Sequence, residues 1–405
     1  MRFSIVNLGC KVNRVESDDV AAALISAGGS LARTSEADLV VVNTCTVTGE
    51  ADKKARKAVR QALRANPSST VVVTGCAAAI DAAAFTALDP RVRVVPKGAL
   101  QQTLAPHAAP VALRVGEGFR TRVSVKIQDG CDHACTFCIV HVARGKATSR
   151  PFSEVRDEVA AYARAGAREV VLTGINLGSY RSEGRHLPDL LEALLADGEA
   201  LPGGGPRLRV SSIEPQQVDR RLIELLARAE GRVCRHLHVP LQSGSTRVLG
   251  EMERTYTAPW FEHLIGRLRA EVPGIALSTD VIAGFPGETD DDFRETCRVV
   301  ERLGFGRLHV FPYSKRAGTP AAMRVDQVPD EVKRSRAAEL RLLSDELTQR
   351  DYDRRVGTRE LALVEDGVAV TESYHEIPVP AGARRGDLVE VVMPPRGDAR
   401  ARMQA

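Results

Sequence analysis

The first hundred residues alternate between short apolar runs and longer amphipathic stretches. Apolar runs at 3–8, 39–42 and 71–74 are nearly continuous in Val, Ile and Leu, and helical stretches at 13–27 and 49–63 separate them. Strands without a polar face belong to a sheet buried on both sides, so this βαβαβ order predicts a parallel sheet with helices packed against it. A Pro- and Ala-rich stretch at 104–115 reads as a linker. From residue 122 the alternation resumes, with strand candidates at 124–128, 169–172, 208–212, 236–241, 275–282 and 307–311, and helical stretches such as 153–165 and 290–303 between them. About six βα units in succession predict a partial (βα)6 barrel rather than a complete eight-unit one. Residues 202–206, Pro-Gly-Gly-Gly-Pro, read as a loop, and a charged helix covers 330–352. Beyond it, short apolar runs at 361–364, 368–371 and 388–392 are split by Gly357, Gly367, Gly382 and Gly386. That pattern predicts a small antiparallel β-barrel. The expected fold is α/β in three domains, at 1–112, 118–347 and 350–405.

Composition narrows the setting. The 405 residues, 43% of them hydrophobic, suffice for two or three packed domains. No apolar run reaches the roughly 18 residues of a membrane span. The N-terminal run is broken by Asn7, Lys11, Asn13 and Arg14, unlike a signal peptide. A cytoplasmic protein with no membrane partner is expected. In a reducing compartment, eight cysteines spread over so long a chain read as metal ligands or reactive thiols rather than a disulfide framework. A formal charge of +4 permits a polyanionic partner without demanding one.

Six of those cysteines fall into two triads. Cys131, Cys135 and Cys138 form a tight C-x3-C-x2-C in CDHACTFC, just after the first strand of the barrel-like region. Three thiolates on one loop leave one ligand too few for a closed zinc site or a fully ligated cubane, so a coordination position stays open. The alternative is a zinc loop that recruits His133 or His141. Cys10, Cys45 and Cys76 are widely spaced, with 34 and 30 residues between them, and each stands just past a predicted strand. Parallel strands share a direction, so these three positions converge on one sheet edge, where such sheets bind ligands. The bland alternative is three small buried cysteines. Cys234 and Cys297 match no ligand position and are expected in the core.

The spacing C-x3-C-x-aromatic-C, with Phe137 before the last cysteine, resembles the signature of the radical S-adenosylmethionine enzymes. That resemblance implies a 4Fe-4S cluster on Cys131, Cys135 and Cys138, whose open iron binds S-adenosylmethionine and whose electron cleaves it to a 5′-deoxyadenosyl radical. The segments LGCKVNRVES, VVVNTCTVTGEADKKARK and VVVTGC resemble the N-terminal domain of the methylthiotransferases within that group. This implies a second, auxiliary 4Fe-4S cluster on Cys10, Cys45 and Cys76 that furnishes sulfur. Later turns fit the resemblance in order. It implies cofactor contacts from Phe137, from Thr173, Gly174 and Asn176, from Ser212 and Glu214, from Gln242, and from Gly284 in the 280–288 segment. The last fifty residues resemble a TRAM domain, which implies RNA contact through arginines such as Arg384, Arg385, Arg396, Arg400 and Arg402. Arginines and carboxylates nearly balance there, so contact would come from local patches. Lys53, Arg56, Lys57, Arg60 and Arg64 add a basic helix face.

Among the methylthiotransferases, Gly9-Cys10-Lys11-Val12-Asn13 resembles the branch acting on N6-threonylcarbamoyladenosine (t6A) in tRNA, and segments 310–314 and 318–320 agree. The implied reaction replaces the hydrogen at C2 of the modified adenine at tRNA position 37 with a methylthio group, using two S-adenosylmethionine molecules per product. Its implied partners are the anticodon stem-loop carrying t6A, an electron donor such as flavodoxin or ferredoxin, and a sulfur source. The isopentenyladenosine branch is the alternative within the family. A non-radical iron–sulfur RNA-binding or sulfur-carrier protein is the alternative outside it. Two departures from the family pattern, Ala77-Ala78 after Cys76 and His141-Val142 after Cys138, bear on local packing.

Overall fold

The computed structural model describes residues 1–46, 48–106 and 121–396. The linker stretch from residue 107 on, Arg400 and Arg402 lie outside the described residues. The chain forms two compact units, the first from Met1–Leu113, Asp129–Ala147 and Ser314–Ala322, the second from Arg114–Gln128, Thr148–Tyr313 and Met323–Ala405. Among the described residues no helix is long and apolar enough to cross a membrane.

The first unit is built on a five-stranded parallel sheet. Its strands are β1 (Arg2–Asn7), β2 (Ser30–Leu31), β3 (Leu39–Thr44), β4 (Thr70–Gly75) and β5 (Val92–Val94), in the order β2-β1-β3-β4-β5. Strand β3 is buried along its whole length, which explains its unbroken apolar run. Leu39 and Val41 join a core with Phe3, Val20 and Leu24, while Val40 and Val42 join another with Ala55 and Val59. The two-residue period of the strand thus feeds helix α1 (Lys11–Ser26) on one face and α2 (Gly49–Ala65) on the other. In this strand order the chain reverses direction across the sheet between β1 and β3, and the crevice at their carboxyl ends is where doubly wound sheets take ligands.

The second unit holds six strands that run parallel in chain order. The first three are β6 (Arg122–Lys126), β7 (Glu169–Thr173) and β8 (Arg207–Val210), followed by β9 (His236–His238), β10 (Ala276–Ala283) and β11 (Arg307–Pro312). Parallel bridges Leu208↔Val233 and Ser212↔His238 join the β8 and β9 segments. One large apolar core runs beneath all six. After the helix Asp330–Arg355 come four antiparallel strands, β12 (Arg359–Val364), β13 (Ala369–Thr371), β14 (Glu376–Ile377) and β15 (Leu388–Val392), in the order β14-β13-β12-β15.

Glu169, fully buried at the start of β7, anchors this unit. It receives Arg209 Nε at 2.7 Å, Arg122 Nε at 3.4 Å and a short contact from Arg207. Burial alone would raise its pKa, but the surrounding guanidiniums of Arg209, Arg207 and Arg122 hold it well below the usual carboxylate range. The same arginines reach onward, Arg207 Nη1 to the Leu361 carbonyl and Arg209 Nη1 to the Glu372 carbonyl, each at 2.7 Å. The antiparallel strands are therefore tied to the parallel ones through buried charge.

Candidate functional site

Each cysteine of the wide triad begins just past a strand of the first unit. Cys10 follows β1 and precedes α1, Cys45 follows β3, and Cys76 follows β4 and opens helix α3 (Cys76–Ile80). The glycines beside them make this possible. Gly9 has φ +120°, and a Cβ there would lie 2.7 Å from Cys45 Cβ; Gly75 has φ +95°, and its Cβ would lie 2.3 Å from the Thr44 carbonyl. Any side chain at either place would push the strand ends apart. Cys45 and Cys76 are buried, and Cys10 is exposed at the mouth of the crevice.

The three loops are gathered on Asn13, which is fully buried in the first turn of α1. Its Nδ2 donates to the Leu8 carbonyl at 3.1 Å and the Thr44 carbonyl at 2.8 Å, fixing the ends of β1 and β3. Its Oδ1 faces two sulfurs, Cys10 Sγ at 3.8 Å and Cys76 Sγ at 3.9 Å. Lys97 places its Nζ 3.3 Å from Cys76 Sγ, a cation set against a ligand-type sulfur. The segment 314–322 closes the Cys45 side. There Ser314 Oγ accepts from Gly49 N at 2.8 Å, and Arg316 pairs with Asp52 at 2.7 Å and with the Thr46 hydroxyl.

The tight triad lies in the same unit. Cys131 N donates to the Gly145 carbonyl, Cys138 N to the Cys135 carbonyl, and Ala321 N to the Thr136 carbonyl, so the loop is held at both ends and from the 314–322 segment. Helix α4 (Val140–Arg144) follows it and packs on α3. The small side chains of Ala77 and Ala78 sit buried in that unit's core and permit a close approach of α3. Val142 is exposed. At the end of α4, Arg144 turns inward with a side chain 1% exposed. Its Nη2 donates to Asn13 Oδ1 at 2.6 Å, and its Nη1 to Asp129 at 2.7 Å and Glu16 at 3.0 Å. Burial opposes its charge, but the Cys76 sulfur, Glu16 and Asp129 raise its pKa above the ordinary arginine value. One buried cation thus connects the helix after the tight triad to the residue that gathers the wide one.

The donor chemistry can be tested against a single metal ion. Thiolates on one zinc stand about 3.8 Å apart, given Zn–S bonds of about 2.3 Å. Among the described residues only His238, Asp280 and His309 bring three such ligand atoms within 4.8 Å of one another. Neither triad is drawn that close, with or without His133 or His141. Two open, all-sulfur triads fit clusters that carry one iron per thiolate better than they fit zinc.

In the second unit the turns singled out in the sequence stand at carboxyl ends of parallel strands. Thr173 ends β7, Ser212 and Glu214 follow β8, Gln242 follows β9, and Gly284 follows β10. Gln128, not singled out from the sequence, organises the first of them. It is buried, and its Oε1 accepts from Ile175 N at 3.0 Å and Asn176 N at 2.8 Å, while its side chain lies against Gly174. Asn176 is buried, and its Oδ1 makes no hydrogen bond to the described residues. Gln242 holds φ +70°, an unfavourable conformation for a side-chain-bearing residue, between backbone bonds to Asp280 and Ile282. Glu214 is engaged by Arg254, and Gly284 lies against the Lys333 side chain. The near neighbour that requires a glycine at 284 is thus a lysine of the Asp330–Arg355 helix.

The surface arginines divide. Arg384 is exposed, and Arg385 pairs with Asp366 at 2.9 Å. Arg396 stacks on Tyr352 at 5.0 Å and donates to the Thr348 carbonyl, so its visible work is to fasten the antiparallel strands to the preceding helix. Lys53, Lys57, Arg60 and Arg64 are exposed along α2. Cys234 is fully buried and burial pushes its thiol up to about 12; Cys297, half-buried, is raised to about 11. Neither is a reactive thiolate at neutral pH.

Parallel α/β sheets bearing an open three-cysteine loop define the class, a radical S-adenosylmethionine enzyme. The model of the Radical SAM superfamily matches residues 125–300, and that of Uncharacterized protein family UPF0004 matches residues 2–96. A radical S-adenosylmethionine methyltransferase, TsrM, from Kitasatospora setae superposes with a TM-score of 0.57 at 17% identity, over 80% of this chain and 77% of that one, a likeness of fold. The threonylcarbamoyladenosine tRNA methylthiotransferase MtaB of Bacillus subtilis is 40% identical over 84% of this chain and 80% of its own length. A tRNA-2-methylthio-N(6)-dimethylallyladenosine synthase of Bordetella avium is 34% identical over 90% and 82%. The chain belongs to the methylthiotransferase family of radical S-adenosylmethionine enzymes, whose members use a 4Fe-4S cluster and S-adenosylmethionine.

Proposed function

We propose that this protein converts t6A at tRNA position 37 to its 2-methylthio derivative. The observation that carries the reading is the 40% identity, across both compact units, to a protein named for that reaction. The isopentenyladenosine alternative is not favoured, because the relative named for a dimethylallyl substrate is less similar. The non-radical alternative leaves the open triad and the complete set of strand-end turns without a use.

Cys131, Cys135 and Cys138 would hold the radical-generating cluster, and Cys10, Cys45 and Cys76 the auxiliary one. When bound, these groups and S-adenosylmethionine supply the reducing electron, the hydrogen-abstracting radical, the sulfur and the methyl group. The protein's own contribution is placement. Asn13 and the glycines beside Cys10 and Cys76 hold three strand ends together, and Arg144 neutralises negative charge beside them. Phe137, Thr173, Gly174, Asn176, Ser212, Glu214, Gln242 and Gly284 are assigned to the cofactor; the unpartnered Asn176 Oδ1 supports this. The strands of the second unit would form the partial barrel of the family. The antiparallel strands from β12 to β15 would form the TRAM-like barrel, with Arg384 exposed toward RNA while Arg385 pairs with Asp366 and Arg396 stacks on Tyr352. The basic face of α2 is a second place for tRNA phosphates. An electron donor such as flavodoxin or ferredoxin, a sulfur source and a cytoplasmic setting complete the reading.

The test is Cys10→Ala in anaerobically reconstituted protein. It should still release 5′-deoxyadenosine while losing methylthiolation. Retained methylthiolation would remove the wide triad from the reaction.

A further inference from the structure

One face of the β9–β11 strands of the second unit carries a histidine–aspartate–histidine set that the methylthiolation reading leaves without a role. The register sets Asp280 opposite His309 and His238 opposite Ser278, so His238, Asp280 and His309 come from three adjacent strands onto the same side. His238 Nε2 lies 3.1 Å from Asp280 Oδ1, His309 Nδ1 lies 3.4 Å from the same oxygen, and all three atoms fall within 4.8 Å. The two imidazoles stack, with ring centroids 5.0 Å apart.

Distance alone would suit a hydrogen-bonded trio, but the angles do not. Asp280 Oδ1 is buried, and both imidazole nitrogens stand at ion-pair distance from it without a hydrogen bond of regular geometry. Donors about 2.1 Å from one ion and at mutually adjacent positions stand about 3.0–3.4 Å apart, and the two measured separations fall in that span. His238 is also oriented as a ligand should be. Its Nδ1 is 3.0 Å from Ser278 Oγ, which in turn is 3.3 Å from His236 Nε2. With the Nδ1 proton given to the serine, the Nε2 lone pair is free on the Asp280 side, the outer-shell arrangement that fixes metal-binding imidazoles. Two histidines and one carboxylate on one side leave the remaining positions open, as in the facial sets that bind divalent transition ions. His309 is partly exposed, which gives an ion a route in.

We propose that His238, Asp280 and His309 form a divalent transition-metal site, separate from both cysteine triads and independent of the methylthiolation reading. Oxygen and nitrogen donors without sulfur suit Mn2+, Fe2+ or Zn2+. The probe is Mn2+ alone, added to the cluster-loaded, chelator-washed protein and followed through loss of the free-ion EPR signal. One site per chain is expected. Asp280→Asn and His238→Gln, close in shape to the native residues, should abolish it. Ser278→Ala should weaken it about tenfold or more. Cysteine substitutions in either triad should leave it in place. Far-UV circular dichroism and iron content, unchanged in the variants, would show that folding and clusters are intact. Mn2+ uptake that is absent in the native protein, or equal in native and Asp280→Asn proteins, would overturn the proposal.

Discussion

Replacing Asn13 by alanine tests how the strand ends are held. The side chain is fully buried; it donates to the carbonyls of Leu8 and Thr44 and accepts from the Arg144 guanidinium, with longer contacts from the Cys10 and Cys76 sulfurs. Neutral bonds contribute about 1 kcal/mol each and a charged one about 2, so the loss should be about 4 kcal/mol. Arg144 keeps Glu16 and Asp129, which limits the damage on its side. The cost falls on the crevice between β1 and β3, the place where Cys10, Cys45 and Cys76 converge. Denaturant unfolding should therefore show the destabilisation, and iron in the reconstituted protein should fall from about eight per chain toward about four. Formation of 5′-deoxyadenosine should persist. A variant with native midpoint and full iron would refute the idea that Asn13 gathers the wide triad.

Gln128→Ala should impair S-adenosylmethionine binding, because two amides of the 174–176 turn lose their acceptor; equilibrium binding to the cluster-loaded protein checks this, with an affinity loss of about tenfold, equivalent to about 1.4 kcal/mol, expected. Glu169 governs acid stability. Its pKa is lowered on folding, so its contribution is complete above the unfolded value of about 4.3 and fades as pH falls through the lower folded value. Thermal melts should accordingly show the Glu169 contribution as midpoints that rise with pH up to about the unfolded carboxylate value of 4.3 and level off above it. Glu169→Gln should cost about 3–5 kcal/mol at neutral pH by stranding two buried arginines, Arg207 and Arg209.

The sheet of the first unit is legible because strands buried on both faces must be apolar throughout, and 39–42 and 71–74 are. The cysteine convergence follows from strand direction alone, so the pattern locates it without coordinates. What joins those elements is not legible. Arg144 and Asn13 are 131 residues apart, and each alone reads as an ordinary polar residue near a helix end. Lys97 is likewise one lysine among many until folding sets it on Cys76. Gln128 stands in the stretch that carries the tight triad, yet no local pattern shows it capping a turn 47 residues later. Segment 314–322 belongs with the first unit although the chain reaches it after all six parallel strands of the second. A usable signal was present in one case. Arg207 and Arg209 alternate with Leu208 and Val210, and that spacing puts two charges on one face of a strand whose burial then demands a shared counter-ion.

The most direct test of the account is mass spectrometry of nucleosides after the reconstituted protein is supplied with S-adenosylmethionine, a reductant, and tRNA carrying either t6A or isopentenyladenosine. The account predicts that the t6A nucleoside alone gains the mass of one methylthio group. Gain on the isopentenyladenosine nucleoside with t6A left unchanged would contradict it.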